Sequence, residues 1–198
     1  MKKTAWHSDA ICQHILNTNF PPLAESDHFQ ALKDCMDKIE DYRKGVLELG
    51  CCKTEFVDAF PEFHYVGADL HHIIEGVSKK LKPSVNYHIF DATKDDYSFM
   101  KQFDIILMNS FLSEMPTAMQ ILDKVLQHAY KYVLIHRQDI ADNQRIEVYQ
   151  TYGGLEAINY VMSRSELESL LIKHGCEIVI ETQPYKDHPE KRSLLISK

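Results

Sequence analysis

The sequence contains no apolar run long enough to span a bilayer, and no continuous apolar block follows the lysines at its start. Neither a membrane segment nor a secretory signal is expected. Basic charge is also in short supply: 22 lysines and arginines face 29 aspartates and glutamates, a formal net charge of −7. Sequence-independent binding to nucleic acid needs a basic face, so a nucleic-acid partner is disfavoured. Cysteines are few and odd in number (Cys12, Cys35, Cys51, Cys52, Cys176), without the regular spacing of a disulfide framework. Reduced thiols fit a cytoplasmic location. The eleven histidines form no H-x-x-x-H or H-E-x-x-H pattern and the cysteines no C-x-x-C, so no metal site is expected. The adjacent pairs Cys51-Cys52 and His71-His72 point in different directions in any regular element. Glycine is the most telling shortage. There are seven, and none builds a G-x-G-x-x-G loop, which argues against a nicotinamide dinucleotide.

What is present is an alternation of short apolar runs with amphipathic stretches, over a length suited to one domain. Seven runs read as strands: "GVLELG", "HYVGADL", "VNYHIFDA", "FDIILMNS", "YVLIHR", "CEIVIETQ" and "RSLLISK". The first five are separated by helix-length segments, as parallel strands require. Continuous apolar character in "FDIILM" and "YVLI" predicts central strands covered on both faces. "PTAMQILDKVLQHAYK" predicts a helix with Pro116 in its first turn. "SRSELESLLIKHG" predicts another, with Ser163 and Glu166 as a capping box and Gly175 as the stop. Residues 1–43 are expected to form an N-terminal helical segment, broken at Pro21-Pro22, and residues 44–198 the core of a single domain. Only "PYKDHPEK" joins the last two strands, which is too short for a crossover and suits an antiparallel hairpin.

The polar residues at the carboxyl ends of these strands are the candidates for chemistry, because that edge of an open α/β sheet forms the ligand crevice. Glu48 and Gly50 end the first, Asp69 the second, Asp91 the third, and Asn109 with Ser110 the fourth. At these residues the chain resembles the class I S-adenosylmethionine-dependent methyltransferases. The glycine-loop motif of that family falls on Glu48-Leu49-Gly50-Cys51-Cys52-Lys53-Thr54, where Cys52 and Thr54 occupy the second and third glycine positions. The resemblance implies a Rossmann-like three-layer α/β/α sandwich, a seven-stranded, mostly parallel sheet in the order 3-2-1-4-5-7-6 with the last strand antiparallel. It implies S-adenosylmethionine as cofactor, with Asp69 on the ribose hydroxyls and Asp91 on the adenine amino group. Glu48, Gly50, Cys51, Cys52, Leu70, Ala92 and Asn109 complete the expected contacts. The motifs cover about residues 44 to 138. More narrowly, the stretch from Asn109 to Ile140 and that from Ile158 to Glu181 are similar to small bacterial methyltransferase-like proteins.

The residue types suit that chemistry. One carboxylate accepts hydrogen bonds from both hydroxyls of a ribose, and such charge-assisted bonds contribute about 1.5–3 kcal/mol each. A mildly acidic crevice favours a sulfonium cation. Cys52 and Thr54 are small enough to replace glycine provided their backbone stays at negative φ. Competing readings stand beside these: Asp69 as a helix cap, Asp91 as a turn former, and the two cysteines as plain loop residues. His136 reads either as a proton acceptor near substrate or as a satisfied structural histidine. Residues 143–162, with tyrosines and Gly153-Gly154, read either as a lid or as a packed connection. The expected function is methyl transfer to a small-molecule acceptor. The alternative is a non-catalytic ligand-binding or scaffold protein whose cofactor loop has eroded.

Overall fold

A computed structural model describes residues 6, 8–43, 45–150 and 154–198. Its strands are β1 (Val46–Leu49), β2 (Tyr65–Asp69), β3 (Asn86–Ile89), β4 (Ile105–Asn109), β5 (Tyr132–Ala141), β6 (Arg145–Gln150), β7 (Glu156–Ser163), β8 (Glu177–Thr182) and β9 (Lys191–Ser197). β1 lies at the middle of the parallel part, between β2 and β4. β3 pairs with β2 and β5 with β4, all parallel. β9 runs antiparallel between β5 and β8. The seven strands read from the apolar runs therefore stand in the expected order, with β9 inserted beside β5.

The sheet separates two layers because side chains alternate across it. Leu47, Leu49, Ile106, Met108, Val133 and Ile135 face one core and Val46, Ile105, Leu107 and Leu134 the other. Two amphipathic helices cover the first face. In α5 (Ala118–His128), Ala118, Ile121, Leu122, Val125 and Leu126 are buried at helical spacing. Leu167 and Leu171 do the same for α6 (Arg164–His174). The cap of α6 is as read: the Ser163 side chain accepts from the Glu166 amide, and Gly175 stops the helix at φ 65°. Pro116 precedes the α5 cap residue Thr117 rather than lying in the first turn. The second face is covered by α2 (Phe29–Met36) and the short α3 (Phe56–Ala59). After β2, α4 is α-helical at His71–Ile73, π-helical at Ile74–Ser78, and α-helical again at Lys79–Leu81.

Two departures from the sequence reading shape the site. The N-terminal segment is interrupted over a wider stretch than Pro21-Pro22, with α1 (Asp9–Asn17) and α2 flanking a short 3-10 turn at Leu23–Glu25. The described part of residues 143–162, read as a lid or a packed connection, is built on strands. It supplies β6 and β7, an antiparallel hairpin with Arg145 opposite Val161 and Tyr149 opposite Ala157. The hairpin joins the end of β5 through Ile140–Met162 and Ala141–Ser163. β5 is consequently longer than "YVLIHR" and, besides β4, serves two neighbours, β9 along its body and β7 at its end. Gly154 is left-handed at φ 80°; Gly153 and Lys44 lie outside the described residues. Among the described residues no helix is long and apolar enough to cross a membrane.

Candidate functional site

A cavity of about 1060 Å³ lies against the carboxyl edge of the parallel strands. That is at the upper end of small-molecule sites, which run to about 1,000 Å³. Glu48, Gly50, Cys51, Cys52, Asp69, Leu70, Asp91, Ala92 and Asn109 all line it. Two elements close it over. Ile11 and Ile15 of α1 reach the cavity, and the same helix packs on Ile73 and Val77 of α4 and on Ala157 of β7. The hairpin presents Arg145, Glu147, Tyr149 and Asn159 to the cavity. The Tyr149 hydroxyl donates to Glu114 across 2.7 Å, tying the hairpin to the turn after β4.

The loop after β1 keeps a glycine backbone at residues that are not glycine. Gly50 has φ 71°, Cys52 φ 37° and Thr54 φ 59°. The expected negative φ at Cys52 and Thr54 is therefore wrong. The conformation is held by outside contacts. Asp69 accepts from the Cys52 amide at 3.0 Å through Oδ2 and from the Leu70 amide at 2.8 Å through Oδ1. The Ser78 hydroxyl donates to the Cys52 carbonyl at 2.6 Å. Thr54 is wholly buried, and the Tyr87 hydroxyl donates to its Oγ1 at 3.3 Å. Burial pushes both cysteine thiols up, as befits neutral loop residues rather than nucleophiles.

Asp69 is thus a brace between two strand ends. It does not cap α4, whose cap residue is Leu70 and carries no side-chain bond. Burial raises its pKa to about 6 against the lowering effect of its two amide bonds. Each of its oxygens keeps a lone pair after those bonds. Asp91 folds its own turn: Oδ1 accepts from the Thr93 amide at 3.0 Å and hydroxyl at 2.7 Å, and Lys94 lies 3.0 Å from Oδ2. Glu48 is deeply buried and accepts from the Tyr65 hydroxyl. Burial raises it to about 8, so it holds its proton at neutral pH. Asn109 accepts from Arg137 Nε at 2.8 Å.

Gly50 is required by the protein's own packing and by its left-handed φ. A Cβ there would stand 2.5 Å from Cδ2 of Phe111. His136 is wholly buried, with Nε2 3.0 Å from His28 Nδ1 and Nδ1 2.7 Å from Ser193 Oγ. It is a satisfied structural histidine, and burial drives its pKa well below the usual value. His28, not His136, reaches the cavity.

The sequence reading missed His28, Tyr65, Phe111, Arg137 and Tyr149. Of these, Tyr149 had a signal: "RIEVYQ" alternates polar and apolar residues at the period of a strand.

The sheet order and the closing antiparallel hairpin match the Rossmann-like α/β fold of class I S-adenosylmethionine-dependent methyltransferases. No family model matches the sequence, and no curated protein matches it. Solved structures do. An S-adenosylmethionine-dependent methyltransferase from Mesorhizobium loti superposes with TM-score 0.65 at 12% identity, covering 89% of this chain and 100% of that one. An amino pentose methyltransferase of calicheamicin biosynthesis from Micromonospora echinaspora, with its S-adenosylmethionine bound, gives 0.62 at 12% identity, over 91% and 98%. The magnesium protoporphyrin IX methyltransferase of Synechocystis, with S-adenosylhomocysteine bound, gives 0.61 at 11%, over 94% and 92%. At these identities the likeness is one of fold.

Proposed function

We propose that this protein transfers a methyl group from S-adenosylmethionine to a small-molecule acceptor. One observation carries the reading. Four of the five described non-glycine residues at positive φ, Cys52, Thr54, Ser110 and Arg137, lie at the carboxyl edge of the sheet. Such conformations cost on the order of 1–3 kcal/mol each and persist where the surroundings over-determine them, typically at functional sites. The loop thus holds a left-handed backbone at Gly50 and also at Cys52 and Thr54, the two positions where the resembled family has glycine, which argues against erosion. The donor set fits the cofactor: Asp69 for the ribose hydroxyls, Asp91 for the adenine amino group, and apolar Leu70 and Ala92 between them. When bound, the cofactor supplies a methyl group on a cationic sulfur, which passes to an electron pair of the acceptor and leaves a neutral thioether. The chain's part is to hold the two in line and exclude water, which α1 and the hairpin do.

Calorimetric titration with S-adenosylhomocysteine tests the reading. Binding in the micromolar range is expected, weakened by one to two decades in Asp69→Ala, given charged hydrogen bonds of about 1.5–3 kcal/mol. Absence of binding by the folded wild type rejects it. Equal binding by both proteins removes Asp69 from the site.

A further inference from the structure

Arg137 stands out among the charged residues of the cavity. Lys53, Arg145 and Lys191 also line it, and each is matched by an acid. Lys53 lies 2.6 Å from Glu55, and Arg145 bonds Glu147 and Glu190. Lys191 lies 3.1 Å from Asp139, an ion pair by distance although not aligned as a hydrogen bond. Arg137 has no carboxylate partner among the described residues. Its guanidinium is held by neutral groups, Asn109 Oδ1 at 2.8 Å and the Tyr185 hydroxyl at 3.4 Å. Those bonds use Nε and one terminal nitrogen, so further donors remain.

The backbone explains how Arg137 comes to the cavity. The ladder between β5 and β9 shifts register between Ile135 and Gln138, and Arg137 sits in that bulge at φ 60°. Bulges re-aim side chains beside active sites, and a left-handed arginine is costly to keep. A half-buried cation with neutral braces and spare donors suits an oxyanion, carboxylate or phosphate. Its position indicates whose. β5 lies three strands from β2, about 14 Å at the usual strand spacing. A ribose held at Asp69 would have β1 and β4 between it and Arg137, room for the cofactor's short amino-acid arm. Tyr185, which Arg137 bonds, belongs to the β8–β9 loop, and its ring lies against His28 at the start of α2.

We propose that Arg137 receives a carboxylate or phosphate of the methyl acceptor, which makes the acceptor an acidic small molecule. The proposal rests on the methyl-transfer reading. The protein saturated with S-adenosylhomocysteine is titrated with acetate, and with acetamide as its uncharged match, at constant ionic strength. The Arg137 Nε–Hε signal is followed by NMR. A saturable shift with acetate, at least tenfold weaker with acetamide, is expected. Arg137→Gln should lose the acetate preference while its affinity for S-adenosylhomocysteine stays within threefold of wild type. Arg137→Lys should keep part of the preference, which guards against a folding artefact in the glutamine variant. Equal response to acetate and acetamide overturns the proposal. So does a tenfold or greater loss of S-adenosylhomocysteine affinity in Arg137→Gln with 5′-methylthioadenosine affinity unchanged, since the arginine would then serve the cofactor's own carboxylate. If the wild type takes no S-adenosylhomocysteine, the cofactor reading fails separately, and acetate titration of the unloaded protein still tests Arg137.

Discussion

Gly50→Ala is expected to destabilise the protein by about 2–4 kcal/mol, and the two contributions can be separated. The residue sits at φ 71°, where a side chain costs roughly 1–2 kcal/mol. The new Cβ would meet Phe111 Cδ2 at 2.5 Å, against an ordinary carbon–carbon contact of about 3.5–4.0 Å. The Phe111 ring packs against the main core, so its retreat costs about 1–3 kcal/mol of overpacking. Alanine regains about 0.4–1 kcal/mol by restricting the unfolded chain. For a domain of this size the melting temperature should fall by about 5–15 °C. A double-mutant cycle with Phe111→Ala isolates the clash. In the Phe111→Ala background Gly50→Ala should cost only the backbone share, leaving a coupling of about 1–3 kcal/mol. Urea unfolding of the four proteins measures it. A coupling within about 0.5 kcal/mol of zero refutes the steric argument. A Gly50→Ala variant as stable as wild type refutes the backbone argument too.

Cys52→Gly is expected to leave stability near wild type and to preserve or improve affinity for S-adenosylhomocysteine, because φ 37° suits glycine. Cys52→Val, β-branched at that φ, should lose about 1–3 kcal/mol in thermal unfolding. Glu48 has a folded pKa raised from 4.5 to about 8, so its contribution is full below pH 4.5 and is lost as pH rises through 8. Relative to Glu48→Gln, wild type should therefore weaken across that window in denaturant melts; parallel profiles would show that Glu48 ionises normally. His28 is lowered to about 3 by burial, so its contribution is present above its unfolded value of 6.5 and is lost as pH falls toward 3. NMR of its ring should show no titration between pH 5 and 8. Asp69→Ala, beyond its effect on binding, should lose about 1–3 kcal/mol, because the Cys52 amide loses its acceptor.

The sheet was legible because its strands are uniform. Leu47, Ile106 and Leu134 sit in runs that are apolar on both faces, and the helix-length gaps between them supply the crossovers that parallel neighbours need. The short link before "RSLLISK" supplied the closing antiparallel pair in the same way. The hairpin escaped notice because its tyrosines and paired glycines suggested a mobile loop, although Arg145 to Tyr149 alternate as a strand does. The carboxylates at strand ends were legible as positions, but their bonding was not. That Asp69 holds the Cys52 amide, 17 residues away, depends on how two loops meet. His28 and His136 are 108 residues apart, and no local pattern joins them. The left-handed backbone at Cys52 and Thr54 defeated propensity altogether. Tertiary contacts with Asp69, Ser78 and Tyr87 impose it against the local preference.

The fork at the end of β5 divides the molecule by task. The body of the strand is locked between β4 and β9, whereas the hairpin shares two ladder pairs with its tip and is otherwise held by side chains such as Tyr149 on Glu114 and Arg145 on Glu190. Tyr160 and Met162 root the inner end of β7 in the main core, and every residue of β6 is exposed. The outer hairpin is therefore an exchangeable part. Its cavity-facing side chains can be rewritten without altering the Asp69 and Gly50 edge, so one wall of the cavity can vary in shape and charge while the strand-end loops opposite it stay fixed.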